Sequence, residues 1–377
     1  MIELTLYVLY GLLTIISIVF VFRLMFAFKH FTMKTNASVP SMLKDLPSVT
    51  VCVPARNEKD AMTQCLERVI ASRYPKLEII VLDDSSADNT SILIKSFARA
   101  GVRFVEGSNL PAGWLGKNHA LQELLEESSG TYILYLDVDT HIEPDTIGEL
   151  VAYAQSEKAD MVSVLPRRED GWRTSVLFSP LRYFWTMLLH RTSRPAVASS
   201  AWLVNRRSLE EFGGIEPYKD DVQPEARIAA LFSTRNAYRF IVSTPLIGVS
   251  YEKKWQSQID TSIRLIFPLL GKNIGLSILA ILFLALLQAP LIALVAGLFD
   301  GWTLVQSVAL WQLCLFVALY GMYLGSVWRK AWWFGALLWP VVLTQEIIIV
   351  IISIIRYQRR TVTWKGRSVT SLQEAKN

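Results

Sequence analysis

The chain has 377 residues, 52% of them hydrophobic, with a mean hydropathy of +0.32, a formal net charge of +5 and a pI of about 9.0. A chain this apolar is not an ordinary water-soluble globular protein, so part of it is expected to lie in lipid. Its basic residues sit beside the apolar runs rather than in one stripe, which argues against a nucleic-acid partner and for anionic lipid headgroups.

Residues 4–28 form the first apolar run. It exceeds a signal-peptide core, lacks a small-residue cleavage pattern and ends among Arg23, Lys29, His30 and Lys34, so residues 1–30 read as a retained transmembrane anchor. Glu3 precedes the run, and the positive-inside rule places the N-terminus outside and the following domain in the cytosol. The expected location is the cell membrane, multi-pass.

Residues 35–255 read as that cytosolic domain. Short β-branched runs at 48–53, 77–82, 102–105, 131–136 and 161–165 alternate with helical patterns, which predicts a mostly parallel, doubly wound α/β sheet. Ligands of such sheets bind beyond the carboxyl ends of the strands. Here those ends are acidic: Pro54-Ala55-Arg56-Asn57-Glu58, Asp83-Asp84-Ser85-Ser86 and Asp137-Val138-Asp139.

An Asp-x-Asp at a strand end suits one divalent cation, Mn²⁺ or Mg²⁺, that in turn holds diphosphate oxygens. Taken alone it also suits a turn with solvated carboxylates. Asp88 or Asn89 is placed to cap the helix after the second strand, whereas the like charges of Asp83 and Asp84 call for a donor such as a base N–H, a ribose hydroxyl or a metal. The loop 110–120 sets Gly113 and Gly116 before Lys117, and its backbone N–H groups with the ammonium make an anion site; His119 reads as structural. Cys52, Cys65 and Cys314 have no metal-ligand spacing and read as packing residues, reduced in the cytosol.

The segment 176–190 is strongly apolar, with Arg182 and His190 as interruptions, and reads either as a core helix or as an amphipathic helix on the membrane surface. Residues 256–272 read as an interfacial helix. The C-terminal runs 274–299, 305–327 and 331–355 make up a membrane region, 273–356, followed by a basic tail, 357–377. A full crossing by 331–355 would put Arg356, Arg359, Arg360, Lys365 and Arg367 outside, against the charge rule. Pro340, Gln345 and Glu346 lie near its middle, so it reads as two half-helices or a re-entrant hairpin that leaves the tail cytosolic.

The ordered set of residues 54–58, Asp83-Asp84-Ser85-Ser86, Gly113-Trp114-Leu115-Gly116-Lys117, Asp137-Val138-Asp139 and Val362-Thr363-Trp364-Lys365-Gly366-Arg367 resembles membrane-bound glycosyltransferase family 2. Within it the likeness is to bacterial carotenoid- and hopanoid-associated glycosyltransferases. The resemblance implies a GT-A fold, a UDP-sugar donor and inversion at the anomeric carbon. It also implies a lipid acceptor, namely a carotenoid, hopanoid or glycerolipid. Carried over by position, Pro54, Ala55, Arg56 and Glu58 lie near the nucleotide, Asp83 with Asp84 near the uracil, Asp137 near the ribose, and Asp139, helped by Asp137, on the metal. Lys117 and Arg367 then supply positive charge for the diphosphate; Arg367 equally suits a juxtamembrane tail drawn to anionic lipid.

The family's general base comes from a Glu-Asp pair, which here reads Pro224-Glu225. Glu225 is therefore the expected base and Asp221 the alternative. Pro224 also starts a helix whose first turn favours an acid, a purely structural reason for Glu225. Of the family's processive Gln-x-x-Arg-Trp motif only Trp255 remains, which argues against a long-chain polysaccharide synthase and leaves Trp255 for the acceptor side or the membrane interface. Two further readings stay open: transfer to a polyprenyl phosphate or polysaccharide, and a nucleotide-binding membrane scaffold without catalysis.

Overall fold

The computed structural model describes residues 2–31, 46–169, 177–301, 303–328 and 332–369. The chain divides into two compact units. One comprises Met1–His30, Asp170–His190 and Lys253–Thr361; the other comprises Phe31–Glu169, Arg191–Glu252 and Val362–Asn377. The units are therefore not contiguous in sequence. The apolar segment ending at His190 groups with the membrane helices, and the residues after Thr361 return to the α/β unit.

In the α/β unit, β1 (Val49–Ala55), α2 (Lys59–Ile70), β2 (Leu77–Asp83), α3 (Thr90–Ser96), β3 (Val102–Glu106), α4 (Gly116–Glu127) and β4 (Tyr132–Leu136) follow one another as the alternation predicts, after helix α1 (Ile2–Phe31). The short β5 (Thr140–Ile142), α5 (Thr146–Ser156), β6 (Met161–Leu165) and β7 (Arg167–Arg168) come next. Beyond the segment 170–190, which carries α6 (Arg182–Leu188), lie β8 (Ala201–Asn205), α7 (Arg206–Glu211), α8 (Pro224–Thr234), β9 (Tyr238–Val242) and β10 (Val249–Tyr251).

The main sheet runs β3-β2-β1-β4-β8-β6-β9, and a small one runs β5-β10-β7. Strands β1, β2, β3 and β4 are parallel, but β8 inserts antiparallel between β4 and β6. The sheet is thus mixed rather than doubly wound throughout. The reason is that β8 follows a long excursion rather than a crossover helix, and can enter the sheet from the opposite end. Val49, Val51, Val53, Val81, Leu134 and Val162 pack with α2 and α5 residues in one core, which is why the central strands are almost wholly apolar. The chain order reverses between β1 and β4, and a crevice is expected beyond their carboxyl ends.

The membrane unit contains α1, α6, α9 (Trp255–Leu269), α10 (Ile274–Leu286), α11 (Ala289–Asp300), α12 (Leu304–Val327), α13 (Trp332–Leu337) and α14 (Trp339–Gln358). Tyr7–Phe31, Leu304–Val327 and Trp339–Gln358 are long and apolar enough to cross a membrane. The run expected as one span at 274–299 is a pair of helices bent by 43°, with Pro290 opening the second. The run at 331–355 is likewise divided, into α13 and α14.

Gly130, just before β4, has no room for a side chain. A Cβ there would lie 2.6 Å from the Thr50 amide nitrogen and 2.8 Å from its hydroxyl. That hydroxyl already accepts from the Gly130 N–H at 2.9 Å and donates to Glu78 at 2.6 Å. Gly130→Ala is expected to push β1 and β4 apart and destabilise the α/β unit by about 1–3 kcal/mol. Thermal unfolding of the detergent-solubilised protein checks this as a Tm several degrees lower.

Candidate active site

Beyond the carboxyl ends of β1, β2 and β4 the chain gathers acids and bases. Lys117, in the first turn of α4, donates to Asp137 Oδ1 at 2.6 Å, so the expected anion-binding lysine is paired with the first aspartate of Asp137-Val138-Asp139. Glu58 sits with Asp137 and Asp139. Burial pushes its carboxyl above the usual range, the ammonium of Lys365 pulls it back, and Asp139 and Asp137 add to the rise. The same three carboxylates surround Cys65, whose thiol burial pushes up to about 12 with Asp139, Glu58 and Asp137 contributing. Cys65 is fully buried and plays the packing role expected of it.

Asp83 and Asp84 differ from expectation in how they are satisfied. Asp83 accepts from the Ser86 hydroxyl and N–H and from the Ser91 hydroxyl at 2.5 Å, an arrangement that shapes its own loop. Asp84 accepts both bonds of one Arg367 nitrogen, at 2.7 and 2.8 Å, with Arg56 3.8 Å away. The donors that these like charges require are the protein's own, since burying two adjacent carboxylates without partners would cost too much. Burial raises the Asp84 carboxyl while Arg367, Arg56 and His119 pull it down.

Arg367 arrives on a hairpin, β11 (Thr363–Trp364) with β12 (Arg367–Ser368). The two residues between the strands, Lys365 and Gly366, have φ of 46° and 82°. Both are left-handed, the requirement of a tight primed turn that Gly meets without strain. Lys365 bonds Glu58 at 2.9 Å and the Asn57 carbonyl at 3.3 Å, and Arg56 donates to the Lys365 carbonyl at 3.1 Å and to the carbonyls of Asp84 and Ser85. Gly116 lies directly beneath: a Cβ there would come 3.0 Å from the Arg367 guanidinium and 3.1 Å from Asp84 Oδ2. Pro54 and Ala55 close β1, where the Ala55 carbonyl accepts from Asp84 N–H at 2.8 Å.

The base candidates lie on one loop. Asn118, beside Lys117, donates to the carbonyls of Tyr218, Lys219 and Asp221, and Leu115 N–H to that of Lys219, which ties the loop to the start of α4. Asp221 accepts from Gln223 N–H at 3.1 Å and pairs with Arg227 at 2.9 Å, so its carboxylate shapes the entry to α8. Glu225 is buried in the first turn of α8, 3% exposed, close enough to Tyr238 to help burial raise that hydroxyl. Trp255 falls in the membrane unit, where its indole N–H donates to Gln345 at 3.3 Å. His119 packs edge-on to Trp114 and lies 3.5 Å from Glu123, a structural role as read from the sequence.

No set of three His, Cys, Asp or Glu side chains is preassembled as a metal centre among the described residues. Asp137 and Asp139 nonetheless form the hard-oxygen donor pair that Mg²⁺ or Mn²⁺ takes when substrate phosphates complete the shell. Buried His141, two residues on, has Nδ1 without a hydrogen-bond partner among the described residues. The donor chemistry fits a divalent cation. Lys365, Gly116 and Asn118 were not singled out individually from sequence, although the Lys-Gly turn and the glycine before Lys117 were visible signals.

A parallel-cored sheet with acids and bases clustered at its switch point is the arrangement of a GT-A-like α/β fold. Residues 50–213 match the family model described as Glycosyl transferase family 2. The chain is 31% identical over 160 residues to the probable glycosyltransferase YdaM of Bacillus subtilis, covering 40% of this chain and 38% of the relative. It is 28% identical over 121 residues to 4,4'-diaponeurosporenoate glycosyltransferase of Staphylococcus aureus, covering 32% of each. The chain thus spans well under half the length of these curated relatives. The mannosyltransferase PcManGT of Pyrobaculum calidifontis, solved with GDP-mannose and Mn²⁺, shares the fold with a TM-score of 0.58 and 21% identity over 94% of this chain and 99% of that one.

The Arg367–Asp84 pair is mostly shielded from water, with side-chain exposures of 22% and 6%. Arg367→Ala is expected to destabilise the α/β unit by about 1–3 kcal/mol by leaving Asp84 buried without its main partner. Asp84→Asn combined with Arg367→Ala should restore part of the loss, read as recovered Tm in a double-mutant cycle.

Proposed function

We propose that this chain transfers a hexose, glucose in the first instance, from a UDP-sugar to a lipid-embedded acceptor such as a carotenoid, hopanoid or glycerolipid, at the cytosolic face of the cell membrane. The observation that carries this reading is the joint edge of Glu58, Asp137 and Asp139 with Lys117 and Lys365, in a family 2 domain whose chain continues into membrane helices. The match of residues 50–213 to the family 2 model supports an enzyme rather than a scaffold.

In this reading the residues divide the work. Pro54, Ala55 and Arg56 form the floor under the nucleotide, with Asp83 and Asp84 toward the base and Asp137 toward the ribose. Asp139, with Asp137, would hold a divalent cation, which supplies charge compensation for the departing diphosphate. Lys117, now on Asp137, and Arg367, now on Asp84, add fixed positive charge on the same edge. Glu225 takes the proton from the acceptor hydroxyl as its oxygen attacks the anomeric carbon from the face opposite the UDP, which leaves with the bonding pair. Burial in the first turn of α8 holds the Glu225 carboxylate in place. Asp221, already engaged by Arg227, is the alternative base.

Incubation of the purified protein with Mn²⁺ and labelled UDP-glucose in membrane-lipid extract, followed by mass spectrometry, should yield a glycolipid. Glu225→Gln should lower turnover by about 10²–10⁴, with UDP-sugar binding retained, and Asp139→Ala should remove the metal dependence of UDP release. Full activity in Glu225→Gln with loss in Asp221→Asn would transfer the base role to Asp221. Sugar appearing only on polyprenyl phosphate or in a water-soluble polymer would replace the acceptor named here.

A further inference from the structure

The membrane unit holds polar groups that the carboxylate edge does not use. Their depth can be read from contacts along α1, whose apolar stretch runs Tyr7–Phe31. Gln312 of α12 donates to the Tyr10 carbonyl at 2.8 Å and to Thr14 at 2.7 Å, near the outer end of α1. Farther along, Phe20 meets Trp185 of α6 at 6.2 Å and Phe283 of α10 at 6.3 Å. Phe184, next to Trp185, packs on Tyr320 and Tyr323 of α12 at 6.0 and 5.6 Å and on Trp339 at 5.7 Å. So α12 runs in the same sense as α1, and Trp339 lies at the depth of α1's middle.

Trp339 is the first residue of α14. It packs on Phe316 and Tyr320, about 10–16 Å short of the α12 end at Val327 and about 18–24 Å from its start, at about 1.5 Å rise per residue. Between them α13 packs against the last turns of α12, where a Cβ on Gly321 would be 3.1 Å from the Trp332 ring and one on Gly335 would be 3.0 Å from Leu324 and Trp328. From its start at mid-depth, α14 descends antiparallel to α10. Gln288, after α10, donates to the Pro340 carbonyl at 2.7 Å, while Ser353 and Tyr357 reach the carbonyls of Ile263 and Arg264 on α9 at 2.5 and 2.6 Å.

Two polar residues of the descending helix grip the segment around α6. Glu346, 1% exposed, accepts from the Leu181 N–H just before α6 and faces Arg182, and Gln345 donates to the Phe178 carbonyl at 3.0 Å. At the other end Arg23 of α1 donates to the carbonyls of Leu188 and His190 at 2.7 and 3.0 Å. A seven-residue helix at membrane depth needs such partners, because lipid offers none to its open backbone groups. The gripped segment is apolar, and Leu189 at its end is 52% exposed.

We propose that α13 and α14 form a re-entrant hairpin that enters and leaves the membrane on the face where α1 ends, and that Glu346 and Gln345 are positioning residues holding the α6 segment as the wall for the acceptor's lipid portion. The second clause rests on the lipid-acceptor reading; the first does not. The hairpin leaves three crossings, α1, the bent pair α10–α11, and α12, and returns the chain to the face from which it re-entered at Lys253.

Single cysteines test the hairpin in membrane vesicles with a membrane-impermeant maleimide. Cys314 is replaced by Ala, and Cys52 and Cys65 are buried. Arg360→Cys should react from the same face as Lys29→Cys, and Asp300→Cys from the opposite one. Reaction of Arg360→Cys from the Asp300→Cys face would make α14 a full crossing and overturn the hairpin. For the positioning role, Glu346→Leu should raise the KM for the lipid acceptor by about tenfold or more. It should leave the KM for the UDP-sugar and the acceptor-free release of UDP unchanged, and Glu346→Gln, whose carbonyl still accepts from Leu181, should rescue most of it. Equal losses in donor and acceptor parameters, or no rescue by Gln, would overturn it. Absence of transfer to any lipid in the unsubstituted protein would instead sink the proposed function and leave the labelling pattern standing.

Discussion

Like charges crowded at one sheet edge are the constraint on which the α/β unit depends. Burial raises the Glu58 carboxyl above its ordinary range, and Asp139 and Asp137 add to the rise. Such a cluster persists only because cations are supplied from elsewhere: Lys117 from the first turn of α4, Arg56 from the end of β1, and Lys365 with Arg367 from the last hairpin. The last of these comes from the far end of the chain, so the edge is not complete until the C-terminal residues have folded onto it. Glycine at 116 follows directly, since any side chain there would strike the Arg367–Asp84 pair.

In the membrane unit the governing shortage is the reverse one. Polar side chains are few there, and several are spent on backbone atoms that lipid cannot solvate: Gln312 on Tyr10, Gln288 on Pro340, Ser353 on Ile263, Arg23 on the end of α6 and Glu346 on its beginning. Broken helices are stable at this depth only with such partners. Aromatic rings fill the space between them, with Phe184, Tyr320 and Trp339 packed edge to face or tilted against one another.

The first half of the α/β unit was legible because its physics is local. Strands β1, β2 and β4 are short, apolar and largely buried, and the residues just past them are polar, so their order and the acidic edge could be read directly. Asp88 binding the Thr90 N–H and hydroxyl, and the structural roles of His119 and Cys65, were legible for the same reason. The antiparallel entry of β8 was not, because strand direction depends on which end of the sheet a long connection reaches, and no residue type records that. Nor were the contacts of Asp83 with Ser86 and Ser91, which depend on how its loop folds.

The sequence by itself determined that part of the chain lies in lipid and that an α/β domain presents carboxylates at its strand ends, because hydropathy and periodicity are properties of neighbouring residues. Its ordered motifs also pointed to the family whose model residues 50–213 match. Only the tertiary structure decided the pairings, since Lys117 with Asp137 and Arg367 with Asp84 join residues far apart in the chain whose charges alone allow many other partners. It likewise decided that α14 starts at the middle of α12 rather than at its end, a depth set by ring packing between helices and invisible to any window of hydropathy.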